Sequence, residues 1–384
     1  MRPSPFYRAC RASALVITWA LTACVAEDTS ADIPSVVRLE PSGYEAAIDS
    51  VRILARQYIA AAALPGLTVA LGRGGEVIYS EAFGWADLSG EREATPETMY
   101  PIGSISKSMT ATAAAILYDR GMLDLDVPIQ EYVDFPEKRW PFTPRQLMGH
   151  TAGVRNYGAA RALRQGSCTM AGEGLDDFAT DTLLFEPGTE YDYSNYGFRM
   201  VGAIVESAAG ERYLDFMQRE VFDAIGLEHT KPDLGTVPGS AIKYDWQSFR
   251  TLSRSLEVDM SCTMPEGGFL STPTELIEFS YSLLNGALVQ PETLELWWMP
   301  QRLASGVSTS YGMGFASTTV PLASGSGRTR MVGHGGSVLG GRSSLQIFPE
   351  EDIVVSAMTN TRSNVQSFSR DVARLFLKVS AGTN

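Results

Sequence analysis

Histidine and cysteine are scarce in this chain, with three and four residues among 384. No His or Cys pair has metal-ligand spacing, and no Cys has a neighbouring His, so neither a zinc site nor a thiol nucleophile is expected. Asp87, Asp124 and Asp126 read as turn residues rather than calcium ligands, and no cofactor is called for. Basic runs are missing too. The 31 Lys and Arg are scattered among 44 Asp and Glu, giving a net charge of −13. That excludes nucleic acid as a partner, because phosphate binding needs clustered cations. No G-x-S-x-G segment occurs, which removes the strand–elbow–helix serine arrangement.

What is present is ordinary globular material, 44% hydrophobic and 20% charged. A single core stops growing near ~250–300 residues, so two lobes with a cleft between them are expected. Arg2, Arg8 and Arg11 precede an apolar stretch, Ala12 to Ala23, too short for the ~20 residues of a membrane span. Residues 1–26 therefore read as an export signal. Leu21-Thr22-Ala23-Cys24 has the pattern of a bacterial lipobox, with Cys24 as the lipidation site. Ordinary cleavage after Ala26 is the alternative. Either places the mature chain outside the cytoplasm, as a periplasm-facing lipoprotein or a soluble exported protein, with the lipid as its membrane contact. Cys168 and Cys262 then remain in the body, where an oxidising compartment allows a disulfide; two free half-buried thiols are the alternative.

Residues 27–42 are polar with scattered proline and read as a tether, leaving 43–384 as the folded body. Apolar residues at helical spacing from Tyr44 to Leu64 predict a helix stopped by Pro65-Gly66. Leu67–Leu71 and Val77–Phe83 predict a hairpin around Gly72-Arg73-Gly74-Gly75. The middle is helical: Ser104–Arg120, Tyr196–Ala209, Tyr213–Ile225, Thr274–Leu284 and Pro291–Trp298. Strand patterns return at Tyr311–Thr319, Thr329–Gly333, Ser343–Phe348 and Ile353–Thr359, before a last helix at Ser367–Val379. The expected class is α+β. An antiparallel sheet built from both ends of the body (43–103 and 305–384) is flanked by the N- and C-terminal helices and carries an inserted all-helical lobe (104–304).

Three short segments carry candidate chemistry. Ser104-Ile105-Ser106-Lys107 opens a predicted helix, near its positive end, with the serine and lysine on one face. A serine hydroxyl is a poor nucleophile without a neighbouring base, and a buried lysine amine is one. Ser240-Ala241-Ile242-Lys243 matches the same pattern but opens no helix, and reads as coincidence. Tyr193-Ser194-Asn195 sets a phenol and an amide on one short loop. Gly333-His334-Gly335-Gly336-Ser337, ahead of a late strand, lets backbone approach a ligand closely. His150 and His229 read as structural hydrogen-bonding residues beside helix boundaries.

Taken in this order, the segments resemble the S-x-x-K, Y-x-N and K-T-G or H-x-G series of class C β-lactamases and penicillin-binding proteins. The resemblance runs from Tyr44 to Val379, with Leu147–Gly153, Gly267–Thr272 and Tyr311–Phe315 also familial. Between Met122 and Lys138 it is closest in pattern to the mitochondrial serine β-lactamase-like branch. It implies a β-lactamase/transpeptidase-like fold and a serine hydrolase working through an acyl-enzyme on an amide, ester or lactam carbonyl. Position by position it implies Ser104 as nucleophile and Lys107 and Tyr193 as its proton-handling partners. Asn195, His334 and Gly336 would meet a small-molecule or short-peptide substrate, and the amides of Ser104 and Ser337 would form the oxyanion hole. His334 departs from the usual lysine, removing charge from a carboxylate anchor. Peptidase or esterase activity is therefore expected ahead of true β-lactamase activity, with a non-catalytic envelope lipoprotein as the rival from another class.

Overall fold

Strands from the two ends of the body meet in one antiparallel sheet. The computed structural model describes residues 33–157, 167–248, 251–321 and 327–380. The export signal with Cys24 and the tether as far as residue 32 lie outside the described residues. The sheet contains β1 (Ser35–Leu39), β2 (Gly66–Arg73), β3 (Glu76–Asp87), β4 (Ala316–Pro321), β5 (Arg328–Val338), β6 (Gly341–Phe348) and β7 (Ile353–Thr359). Its order is β1-β3-β2-β7-β6-β5-β4, with Arg92–Glu93 added beside β3. The seam between the ends is β2 against β7, from Leu67 opposite Thr359 to Arg73 opposite Ile353.

Both central strands are covered on two faces, which is why they read as nearly unbroken apolar runs. Alternation then sorts their side chains. Leu67, Val69, Leu71, Ile353, Val355 and Ala357 pack under helices α1 (Glu45–Ala62) and α6 (Gln366–Ser380). Ala70, Val354 and Met358 face the helical lobe. That lobe is built around α2 (Ser106–Asp119), buried continuously from Ser106 to Leu117. Its alanines let α3 (Asn195–Ala209) and the turn Met264–Gly267 approach closely, with α4 (Pro273–Leu284) and α5 (Pro291–Trp298) nearby. Gly202 on α3 helps, since a Cβ there would collide with Pro265.

Several segments differ from expectation, and the lobe expected to be all-helical also carries two small antiparallel sheets, Phe269–Ser271 between Tyr100–Pro101 and Lys231–Pro232, and Tyr244–Ser248 with Thr251–Arg254. Residues 35–39, read as tether, form edge strand β1, because Val36 and its neighbours pair with β3 from Ser35–Phe83 onward. Ser104 sits in a 3₁₀ turn, Gly103–Ile105, that leads into α2 rather than in the α-helix itself. The 213–225 helix breaks into Tyr213–Phe216, a wider π-type turn Met217–Phe222 and a 3₁₀ end. The strand expected to end at Gly333 runs on to Val338, so the glycine-rich Gly333–Ser337 segment lies within β5; a Cβ on Gly333 would meet the Leu345 carbonyl, and one on Gly336 the Ile102 carbonyl.

Candidate active site

The site begins where two backbones cross. Gly103 has φ +51°, and a Cβ on it would stand 2.7 Å from the Ser337 amide nitrogen. Gly336 is equally restricted, because its Cβ would strike the Ile102 carbonyl and the Ser343 hydroxyl. Glycine at both positions therefore lets the turn carrying Ser104 dock on β5 with the backbone at Ser337 beside it. The Ser343 hydroxyl fastens the crossing by donating to the Ile102 carbonyl at 2.7 Å.

One helical turn on, Lys107 is fully buried, with Ser104, Tyr193, Asn195 and His334 half-buried above it. Its Nζ lies 3.3 Å from Ser104 Oγ, 2.6 Å from Asn195 Oδ1 and 2.5 Å from the Glu266 carbonyl oxygen. Burial pushes its pKa down from 10.5 to about 7, against the nearby Glu266 carboxylate, which pulls it up. A neutral amine has two N–H bonds and one lone pair. The two shorter contacts take the N–H bonds, and the lone pair is left facing the Ser104 hydroxyl.

Ser194 accepts from the Gly197 amide at 2.9 Å and so caps α3, which fixes its neighbours Tyr193 and Asn195 over Lys107. The Tyr193 ring centroid lies 5.0 Å from Lys107 Nζ. Burial drives its phenol above the ordinary value, with Ser104 opposing the shift, so the proton stays on oxygen at neutral pH. No hydrogen bond of normal geometry occupies that hydroxyl among the described residues. The Asn195 amide is already engaged, since its Nδ2 donates to Asn156 Oδ1 at 3.0 Å while its oxygen takes Lys107.

His334 is bonded on both nitrogens, at 2.7 Å to the Gly335 carbonyl through Nδ1 and at 2.9 Å to the Tyr311 hydroxyl through Nε2. A carbonyl only accepts, so Nδ1 carries the proton and Nε2 accepts from Tyr311. Burial and the Lys107 charge lower its pKa to about 4. The imidazole is neutral and has no N–H left for a substrate carboxylate.

The structure thus gathers Ser104, Lys107, Tyr193, Asn195, His334, Gly336 and Ser337 at one place. It leaves Ser240 and Lys243 elsewhere: Ser240 Oγ bonds Val237 O, and Lys243 pairs with Asp233 at 3.5 Å and Glu257 at 3.0 Å. Cys168 and Cys262 are joined by a disulfide. His229 bonds Glu275 away from these groups. His150 has a larger place than a boundary residue: its ring packs 4.3 Å from Tyr193, and its Nδ1 accepts from the Ser194 amide at 3.1 Å. Sequence reasoning missed Glu266, Asn156 and Tyr311. Glu266 acts on Lys107 through its backbone carbonyl as well as its carboxylate, and no sequence spacing links the two residues; Tyr311 lies in one of the familial segments, but without an expected role.

A buried lysine under a serine, where a sheet made from both chain ends meets a helical lobe, defines the β-lactamase/penicillin-binding-protein-like fold. A penicillin-binding-protein homologue from Pyrococcus abyssi superposes with a TM-score of 0.76 at 23% identity, over 86% of this chain and 77% of that one. The family model described as Beta-lactamase matches residues 51–379, and the chain belongs to that family. The mitochondrial serine β-lactamase-like protein LACTB of Mus musculus is 28% identical, over 80% of this chain and 74% of its own length. A D-aminopeptidase of Brucella canis is 27% identical, over 78% of this chain and 57% of its length. The chain is therefore a member of a β-lactamase-related serine hydrolase family.

Proposed function

We propose that this protein hydrolyses esters or amides through a Ser104 acyl-enzyme, on small molecules or short peptides that carry no carboxylate facing His334. The carrying observation is the buried Lys107 amine, poised near neutrality 3.3 Å from the Ser104 hydroxyl oxygen. Neutral Lys107 takes the hydroxyl proton as Ser104 Oγ bonds the substrate carbonyl carbon. The oxyanion so formed faces the backbone amides of Ser104 and Ser337. Collapse expels the leaving amine or alcohol, which receives a proton through Tyr193 or Lys107. Water then attacks the ester carbonyl, returns its proton to the same pair and frees Ser104.

Neutral His334, occupied by Tyr311, supports the carboxylate-free substrate class over a penicillin or cephalosporin. The kinship with a D-aminopeptidase supports an amide among the candidates. We further propose that the chain works outside the cytoplasm, anchored through a lipid on Cys24 or released by cleavage after Ala26. The Cys168–Cys262 disulfide supports an oxidising compartment.

The test is a fluorophosphonate probe together with p-nitrophenyl esters, D-amino-acid amides and a chromogenic cephalosporin. Labelling and ester or amide turnover should vanish in Ser104→Ala and persist in Ser240→Ala. Absent labelling of the parent would favour a binding module instead, and rapid cephalosporin hydrolysis would favour a β-lactamase.

A further inference from the structure

Beneath Lys107 lies a charged pair that none of the three motifs includes. Arg199 on α3 and Glu266 in the Met264–Gly267 turn are 3% and 1% exposed. Arg199 gives Glu266 Oε1 two hydrogen bonds, from Nε at 3.1 Å and from Nη2 at 2.8 Å. Glu266 Oε2 is buried with no hydrogen-bond partner among the described residues. Asp177 stands 3.4 Å from Arg199 Nη1, and the Tyr196 and Tyr157 rings flank the guanidinium at 5.2 and 5.7 Å. Gly174 leaves the room: a Cβ there would stand 2.8 Å from Arg199. Glu266 is also the residue whose carbonyl accepts from Lys107. Buried pairs are weak sources of stability, because desolvation offsets their attraction. Such a pair placed against the base has an electrostatic consequence instead.

We propose that Arg199 and Glu266 are positioning residues that set the proton affinity of Lys107, which rests on Lys107 being the base that activates Ser104. The groups facing Lys107 are Ser104, Tyr193, Asn195, His150, His334 and Glu266. Both histidines are held neutral by burial. Glu266 faces Arg199, Lys107 and the phenols of Tyr157, Tyr193 and Tyr213. The Glu266 carboxylate favours the ammonium form of Lys107. Arg199 holds that carboxylate ionised against the burial that raises its pKa.

The readout is the rate of fluorophosphonate labelling of Ser104 against pH, on the full chain, with thermal melts to verify folding. Glu266→Gln removes the charge that favours ammonium, so the midpoint falls. Arg199→Met removes the cation that holds the buried carboxylate ionised, so Glu266 takes up a proton and the midpoint falls as well. Arg199→Lys keeps a cation beside Glu266 and should hold the midpoint near the parent's, a rescue that loosened packing does not produce. If Arg199→Met does not fold, Glu266→Gln and Arg199→Lys decide. A folded Glu266→Gln whose midpoint coincides with the parent's, or a folded Arg199→Lys whose midpoint falls as far as that of Glu266→Gln, overturns the inference alone. A parent that shows no labelling at any pH overturns the acyl-enzyme reading and this one with it.

Discussion

The Asn195 side-chain oxygen sits 2.6 Å from the Lys107 nitrogen, closer than the Ser104 hydroxyl at 3.3 Å. The amide is thus the neutral partner that orients the amine without adding charge. Asn195→Asp keeps the shape but sets a carboxylate against Lys107, raising its pKa by about 1–3 units. Ester kcat/KM at pH 7 should fall about fivefold for the first unit and about tenfold for each further one, and recover as the pH is raised. A variant equally impaired at both pH values would show that geometry, not charge, was lost.

The same amine predicts the parent's pH dependence. In the proposed mechanism only neutral Lys107 accepts the serine proton, so kcat/KM should climb with pH through about 7 and then level. Stability carries the matching sign. The folded pKa of about 7 lies below the ordinary 10.5, so between these values the unfolded chain holds a proton that the folded chain lacks. Folding stability from this group therefore rises with pH across that window and is lowest below it. Lys107→Met should abolish labelling and raise the melting temperature at pH 7; a lower melting temperature would contradict the burial penalty.

His334 offers a gain-of-function test. A lysine there would present an ammonium where the neutral imidazole now accepts from Tyr311. His334→Lys should acylate faster with a carboxylate-bearing cephalosporin and more slowly with a neutral ester. The ratio of the two rates is the measurement, since a general loss of folding lowers both.

Much of this was legible beforehand, and for a physical reason. Strands β2 and β7 and helix α2 are long, strongly patterned elements, so propensity and burial agree along them. Ser104, Lys107 and Tyr193 were singled out by the resemblance of three ordered motifs to a known family, since Ser240 and Lys243 share the Ser104–Lys107 spacing. The edge strand at 35–39 does not, because a short half-exposed strand takes its order from its partner β3 rather than from its own residues. Glu266 was illegible for another reason, since no spacing links its backbone carbonyl or its carboxylate to Lys107; His150, expected to be a structural hydrogen-bonding residue, accepts from the Ser194 amide and also packs its ring at a tilt against Tyr193. The decoy serine failed on context, since Pro238-Gly239 leads into a loop where Lys243 is already paired.

The Cys168–Cys262 bond ties two segments separated by 94 residues, one of them four positions before Glu266. Removing such a cross-link frees the unfolded chain and typically costs about 2–4 kcal/mol. Reduction, or Cys168→Ser with Cys262→Ser, should lower the urea midpoint accordingly. Because the released segment also carries the Lys107 acceptor, labelling of Ser104 should slow under conditions where the variant is still folded. Unchanged labelling would limit the bond to global stability.

Gly336 makes the sharpest steric prediction. Its missing Cβ is what lets the Ile102 carbonyl and the Ser343 hydroxyl lie against β5, and with them the Ser104 turn beside the Ser337 amide. Gly336→Ala must push that turn away, spoiling the proposed alignment of the Ser104 and Ser337 amides toward one oxyanion. Losing one such donor typically lowers kcat by ~10²–10³-fold. The control is Gly172→Ala, where an added Cβ meets nothing within 4 Å. Gly172→Ala should leave both kcat and the melting temperature near the parent's. If Gly336→Ala turns over as fast as Gly172→Ala, the crossing of Gly103 and Gly336 is packing alone, and the oxyanion must be held elsewhere.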